Sequence, residues 1–133
     1  MIYVLDASVA VAAVREREPH HRAARARLQG FLEGKDEIVV PVIFDAEVAS
    51  ALLRRGVPAA MVESFLDEDL AARRLATMGP RASRGIVSVV AATKLRAADA
   101  AYVWTASSRG LVLVTLDLKI PTKVAGLCRV EMP

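Results

Sequence analysis

Four acidic side chains occur in apolar surroundings, where an ionised carboxylate is costly. Each either follows or interrupts a run of apolar residues, and the four are Asp6, Glu47, Asp99 and Asp117. An unpaired carboxylate in an apolar interior is strongly destabilised unless positive charge compensates it. Carboxylates brought together from distant chain positions, without basic partners, therefore indicate a shared divalent cation.

The chemistry that such a cluster supports is metal-dependent phosphoryl transfer. Oxygen ligands without a Cys or His cluster suit Mg²⁺ or Mn²⁺. These ions retain waters, bind phosphate oxygens and activate a water nucleophile for attack on a phosphodiester. The set predicts a metal-dependent site that acts on phosphate esters.

Each acid also has a structural interpretation when it is taken alone. Asp6 is placed to cap a following helix, Asp99 to occupy a first helical turn, and Asp117 to lie in a turn after a strand. Glu47 is harder to explain in this way, because it lies in the middle of a helical segment. Asp45 points about 200° away from it around the helix, so one of the two can be exposed while the other faces a cleft.

The elements that must position these acids alternate along the chain. Strands are predicted at 2–6, 38–40, 74–78 and 111–115, with a last edge strand around Val130. Helices are predicted at 8–14, capped by Ser8, and at 20–32, 42–55, 58–70, 81–95 and 97–108. Such alternation predicts an α/β fold, a three-layer α/β/α sandwich with a short, mainly parallel central sheet. Open sheets of this kind bind ligands at the carboxyl ends of their strands, where Asp6 and Asp117 are expected.

Composition limits the class of protein. The 133 residues, 54% of them hydrophobic, predict one domain spanning 1–133. No run is long enough for a membrane helix, and the single cysteine, Cys128, is typical of a reducing cytoplasm. The net charge is +3, and removing the four acidic charges would leave +7, a balance that favours a nucleic acid partner.

The order and spacing of these motifs resemble those of the PIN domains, and most closely the VapC-type toxins of prokaryotic toxin–antitoxin pairs. The resemblance covers essentially the whole chain. It rests on four segments: the strand ending in Asp6-Ala7-Ser8, Pro41 followed by Glu47 and Leu52, Leu95 with Asp99 to Tyr102 and Ala106, and Leu113 to Asp117.

The resemblance implies a Mg²⁺- or Mn²⁺-dependent endoribonuclease. Asp6, Glu47, Asp99 and Asp117 match the acidic quartet that binds metal and carries catalysis, and the hydroxyls of Ser8 and Thr115 match polar residues that orient it. Many relatives carry a further acid after the last aspartate, whereas Leu118-Lys119-Ile120 offers none here. The number of metal ions therefore stays open.

The resemblance also implies partners. Single-stranded or loop RNA is the expected substrate, with Arg15, Arg81 and Arg84 as candidate contacts to its backbone. A cognate antitoxin, a homodimer and a cytoplasmic location are expected, and no membrane association.

Other functions fit parts of the pattern. One is a PIN-like scaffold that binds metal or RNA without cleaving it, and another is a PIN nuclease that is not paired with an antitoxin. A receiver-type signalling domain would want adjacent acids after the first strand. A small Mg²⁺ phosphatase would want an acid at position 8, where Ser8 stands.

Overall fold

The computed structural model of the chain describes residues 1–124 and 126–133. The strands are β1 (Ile2–Leu5), β2 (Glu37–Pro41), β3 (Arg74–Ala76), β4 (Val112–Val114) and β5 (Val130–Glu131). The helices are α1 (Ala7–Val14), α2 (His21–Leu32), α3 (Phe44–Arg54), α4 (Ala59–Ser64), α5 (Pro80–Thr93), α6 (Ala97–Ser107) and α7 (Lys119–Lys123). A π-helical turn, Phe65–Asp69, continues α4.

The five strands form one parallel sheet in the order β3-β2-β1-β4-β5. The chain first builds outward from β1 to β3 and then crosses to β4 on the other side of β1. Because parallel crossovers are right-handed, α1 to α4 cover one face of the sheet and α5 to α7 cover the other. The predicted three-layer α/β/α sandwich is confirmed. The reversal between β1 and β4 is where such sheets form a ligand crevice.

The core lies between the sheet and its helices. Tyr3, Val4 and Leu5 of β1 are fully buried, as expected for a central strand covered on both faces. Helix α6 packs against β1, β2 and β4, and its alanines keep it close to the sheet. Among the described residues, no helix is long and apolar enough to cross a membrane.

The contact between α5 and α6 depends on a glycine. A Cβ at Gly85 would lie 1.8 Å from Nε1 of Trp104, so only glycine fits unless the indole ring or one of the helices moves. Helix α5 ends at Thr93, earlier than the predicted Leu95, because Lys94 adopts a left-handed conformation with φ 60°. This sharp turn directs α6 back across the sheet and thereby places Asp99.

Three other expectations require correction. Ser8 does not cap α1, because Asp6 occupies the cap position and the Ser8 hydroxyl bonds to its side chain. The helix predicted over 58–70 changes to π geometry at Phe65, where the N–H of Leu70 donates to the Phe65 carbonyl at 2.9 Å. The short helix α7 was not predicted, since five residues containing a proline give little periodic signal.

Candidate active site

Asp6 lies at the carboxyl end of β1, where the strand turns directly into α1. Its side chain is 6% exposed, and it makes no capping bond to the helix. Instead its Oδ2 atom accepts hydrogen bonds from the Ser8 hydroxyl at 2.5 Å and the Thr115 hydroxyl at 2.8 Å. The two hydroxyls that the sequence placed beside the acids therefore fix the orientation of this carboxylate.

The same hydroxyls tie the ends of β1 and β4 together. The oxygen of Ser8 accepts a hydrogen bond from the backbone N–H of Leu116 at 3.1 Å. The hydroxyl oxygen of Thr115 accepts a hydrogen bond from the backbone N–H of Asp117 at 3.0 Å. Each hydroxyl thus donates to Asp6 and accepts from the loop after β4. This network sets the backbone that carries Asp117 next to Asp6.

Glu47 lies in the first turn of α3 and faces α6. Its Oε1 atom accepts a hydrogen bond of 2.6 Å from the hydroxyl of Tyr102, which is itself fully buried. Its Oε2 atom accepts no hydrogen bond in the described part of the chain. Burial, the hydrogen bond to Glu47 and nearby negative charge all raise the pKa of Tyr102, so this phenol stays protonated and acts as a donor.

Asp99 and Asp117 complete the group from the other side. Asp99 is the third residue of α6 and is half-buried. Asp117 follows β4 by three residues, and its Oδ1 atom accepts a hydrogen bond from the N–H of Lys119 at 2.9 Å. The predicted positions of Asp99 near a helix start and of Asp117 after a strand agree with the structure, whereas Glu47, expected in the middle of a helix, lies in the first turn because α3 begins at Phe44.

The four acidic side chains bring negative charges close to one another. Burial is the largest cause that raises the pKa of the Asp6, Glu47 and Asp99 carboxyls above their ordinary values. The charge of Asp117 raises the pKa values of Asp6 and Asp99 further. The charges of Asp6 and Asp99 do the same for Glu47. Asp6, Glu47 and Asp99 therefore each lie close enough to another acid of the group to be affected by its charge.

Some interactions favour the charged forms. Hydrogen bonds from Ser8 and Thr115 lower the pKa of Asp6 in part, and the Tyr102 hydroxyl does so for Glu47. The charges of Arg96 and Lys119 act in the same direction on Asp99. None of the four acids forms a salt bridge within the described residues.

Oxygen-only donors of this kind suit Mg²⁺ or Mn²⁺, and a cation would relieve the repulsion that raises the pKa values. In residues 1–124 and 126–133, no group of three or more His, Cys, Asp or Glu side chains is arranged so that it could hold a metal ion without movement. The fit therefore rests on the donor chemistry and on the shared electrostatics of the acids.

Two grooves open beside Glu47. One, of about 320 Å³, is lined in part by Ser8, His20, Glu47 and Arg55. The other, of about 510 Å³, is lined in part by Glu47, Arg55 and Ala98. Arg55 therefore borders both grooves, and the only hydrogen bond of its side chain among the described residues is to the Ala51 carbonyl.

The three arginines predicted to contact RNA are placed differently. Arg15 forms a salt bridge of 2.6 Å with Glu18 and borders a further groove together with Arg55. Arg81 and Arg84 are exposed on the first turns of α5. Arg81 lines a cavity that shares no lining residue with the grooves beside Glu47. Their contact with RNA stays a prediction.

Sequence reasoning missed some residues at the site. The apolar neighbours of Tyr102 on its helix favour a core position, and it is fully buried, but its hydroxyl also bonds to Glu47. His20 is exposed, as its place near a helix start indicates, and it also lines the groove next to Glu47. Arg55 was not singled out, although its position after an acid-bearing helix, just before Gly56, was a usable signal.

Comparisons with known proteins show which family the chain resembles. The family model described as "PIN domain" matches residues 3–126. Ribonuclease VapC3 of Mycobacterium tuberculosis is 34% identical over 122 residues, which cover 88% of this chain and 83% of that protein.

Solved structures share the fold at lower identity. A toxin–antitoxin complex from Klebsiella pneumoniae superposes with a TM-score of 0.73 and 18% identity, covering 97% of this chain and 95% of that one. The sarcin–ricin-loop-cleaving toxin VapC20 of Mycobacterium tuberculosis gives a TM-score of 0.75 and 16% identity, covering 98% and 99%. At these identities the likeness shows the fold alone.

Proposed function

The chain belongs to the PIN-domain family, and on that premise we propose that it is a metal-dependent endoribonuclease, the toxin of a toxin–antitoxin pair. One observation carries the proposal. Three carboxyls from separate elements, Asp6, Glu47 and Asp99, have their pKa values raised by burial and by neighbouring acids. A folded chain that keeps such a group without a salt bridge among the described residues maintains a repulsion that a bound cation would relieve.

We assign Asp6, Glu47, Asp99 and Asp117 as the residues that would hold Mg²⁺ or Mn²⁺. When bound, the metal supplies Lewis acidity that polarises the scissile phosphate and lowers the pKa of a coordinated water. The Ser8 and Thr115 hydroxyls hold Oδ2 of Asp6 in one orientation.

Tyr102 holds Oε1 of Glu47 and leaves Oε2 without a hydrogen-bond partner in the described part of the chain. We propose that Oε2 is the atom that faces the metal. Such outer hydrogen bonds fix the orientation of ligands and tune their basicity.

RNA is the proposed substrate because basic residues border the grooves beside the acids. Arg55 lines both grooves next to Glu47, and Arg15 and Arg17 continue the basic border along a third. Phosphate contacts of this kind orient a strand without reading its sequence. Single-stranded or loop RNA can bend into such grooves. We propose Arg15, Arg81 and Arg84 as further backbone contacts.

An antitoxin partner is proposed from the relatives. The Klebsiella neighbour is described as a toxin–antitoxin complex and VapC20 as a toxin. We extend the proposal to one PIN domain over 1–133, a homodimer and a cytoplasmic location. Met61 on α4 is 56% exposed, whereas its neighbours Val62, Phe65 and Leu66 are buried. Any dimer face on α4 would therefore include Met61 but little of these three neighbours.

The test is incubation with a mixed RNA pool in Mg²⁺ or Mn²⁺, with an EDTA control and the variant Asp6→Asn. We expect cleavage that stops in EDTA and in the variant. Cleavage that survives both would contradict a metal site built on Asp6. Metal binding without any cleavage would instead identify a non-catalytic scaffold.

A second observation separates a toxin from a nuclease that works alone. A short reading frame directly upstream of the gene, whose product binds this protein and suppresses cleavage, is expected for a toxin. Cleavage without any such partner would identify an unpaired nuclease.

A further inference from the structure

A second cavity lies at the far end of α6 from the acids. It encloses about 450 Å³ and is lined by Arg81, Arg109, Thr77, Ser108 and Trp104, together with Gly79, Pro80 and Ala82. Asp99 stands near the start of the same helix, which places Ser108 roughly 14 Å further along its axis at 1.5 Å per residue. No acidic side chain is among those that line the cavity.

The two arginines of this cavity have no acidic partner in the described part of the chain. Arg81 is exposed and forms no salt bridge there. Arg109 lies over the Trp104 ring at 5.7 Å and donates to the Ser108 hydroxyl at 3.1 Å. Stacking and this hydrogen bond hold its guanidinium in place, so little side-chain entropy is lost when it binds an anion.

Further hydrogen-bond donors border the same space. Thr77 and Ser108, which both carry hydroxyls, are among the residues that line it. Helix α5 begins there with Pro80 in its first position and without a side-chain cap. The backbone N–H groups of Arg81 and Ala82 therefore have no acceptor within the helix.

The positive character extends beyond the cavity. An adjoining groove of about 400 Å³ shares Thr77 and Arg109 and adds Arg74. The only acid near Arg74 among the described residues is Glu37, at 3.7 Å, and both side chains are more than half exposed. Such an exposed pair contributes little to stability, so Arg74 is available to bind an anion.

We propose that this cavity binds a backbone phosphate of the RNA strand that is cleaved at the acidic group. The inference rests on the proposed function and deepens it, because it assigns a second contact region on the substrate. Two guanidiniums, two hydroxyls and two backbone N–H groups suit a phosphate, since guanidinium pairs bidentately with its oxygens. A strand that engages both regions spans roughly 14 Å, the length of α6 between them.

The contact adds affinity and orientation but no sequence preference. Phosphate contacts position a nucleic acid, whereas base contacts specify it. Removing Arg81 or Arg109 should therefore weaken the binding of all sequences equally and reduce the dependence of affinity on salt.

The experiment measures the binding of a fluorescently labelled single-stranded RNA by anisotropy over a series of salt concentrations, with EDTA present so that the RNA stays intact. The variants are Arg81→Ala, Arg109→Ala and the two combined. Arg129→Ala is the matched control, because its side chain is 75% exposed beside β5 and lines no part of the cavity. Inorganic phosphate is titrated as a competitor.

We expect the double variant to bind about tenfold more weakly than the wild type, and each single variant to show part of that decrease. The slope of log affinity against log salt should become shallower by about 0.7 for each RNA phosphate that the variant no longer neutralises. Arg129→Ala should bind as the wild type does. Arg81→Ala alone keeps the test valid if replacing Arg109 disturbs Trp104.

Equal affinities for the wild type and the double variant would overturn the inference, as would an equal decrease in Arg129→Ala. Phosphate that binds in this cavity while RNA affinity is unchanged between variants would also overturn it, because the site would then serve a free anion. Cleavage of the same RNA in Mg²⁺ is measured in parallel. A wild type that neither binds nor cleaves would contradict the proposed function itself.

Discussion

Two carboxylates on helix α3, only two residues apart, are in opposite electrostatic situations. Asp45 receives hydrogen bonds from the guanidinium of Arg73 at 2.8 and 2.5 Å. Arg73 also donates to the Leu66 and Leu70 carbonyls around the π-helical turn. Asp45 is therefore neutralised by a fixed arginine that connects α3 to the segment before β3.

Glu47 has no such partner. Its surroundings are the neutral hydroxyl of Tyr102 and the charges of Asp6 and Asp99, and its pKa is raised, chiefly by burial. An acid in an apolar segment is therefore not by itself a functional signal. The functional signal is an acid whose nearest charges have the same sign as its own.

The largest effect is expected from removing an acid of the repelling group. Asp99→Asn should reduce RNA cleavage in Mg²⁺ on the order of a thousandfold, because the transition state loses metal stabilisation worth several kcal/mol. The free energy of unfolding without metal should stay the same or rise, since one repelling charge is gone. Cleavage rates and urea unfolding measure the two effects.

The matched control is Asp45→Asn on the other side of α3. This variant should keep cleavage within a few-fold of the wild type. A loss of cleavage as large as that of Asp99→Asn would remove the distinction between the two acids.

Asp45→Asn is instead expected to change stability. Arg73 has only 11% of its side chain exposed and Asp45 has 34%, so the pair is partly shielded from solvent. Removing one partner of such a pair should lower the free energy of unfolding by about 2 kcal/mol, less than for a fully buried pair. An unchanged free energy of unfolding would mean that the pair of Asp45 and Arg73 does not stabilise the fold.

A smaller effect is expected at the hydroxyl that holds Glu47. Tyr102→Phe should weaken Mn²⁺ binding by about tenfold, as for other groups that orient a metal ligand. Tyr3→Phe is its control, because Tyr3 is equally buried and donates to the Arg27 carbonyl at 3.2 Å, away from the acids. Isothermal titration calorimetry with Mn²⁺ measures both, and equal affinities in the two variants would show that Tyr102 has only a structural role.

The smallest expected effect is on the pH dependence of stability without metal. Because the pKa values of Asp6, Glu47 and Asp99 are raised on folding, the native state binds more protons than the unfolded state. The contribution of these groups to stability is therefore present below their ordinary pKa and is lost as pH rises through the raised values.

Asp99→Asn should flatten this dependence in the weakly acidic range, and Asp45→Asn should not. Urea unfolding at a series of pH values measures it. A wild type whose stability rises with pH across that range would contradict the predicted decrease. Metal binding should show the opposite trend, because protons compete for the ligands.

Much of the fold and of the acidic group was predictable from local sequence. Asp6 and Asp117 stand at the ends of short apolar runs, and strand ends in a parallel sheet meet at one edge, so their proximity was expected. Tyr102 was missed because its partner Glu47 is 55 residues away, and nothing in the helical pattern of α6 distinguishes a core tyrosine from one that bonds an acid. The pairing of Asp45 with Arg73 across 28 residues was invisible for the same reason. Arg73 also bonds to carbonyls at the π-helical turn, a contact that the periodicity of 58–70 could not predict.

The most direct test of the central claim is the thermal unfolding of three proteins with and without Mn²⁺. A ligand that binds only the folded state raises the unfolding temperature according to its affinity. We expect a clear rise for the wild type and for Asp45→Asn, and no rise for Asp99→Asn. A wild type that Mn²⁺ does not stabilise, or an Asp99→Asn variant stabilised as much as the wild type, would contradict a metal site built from the repelling acids.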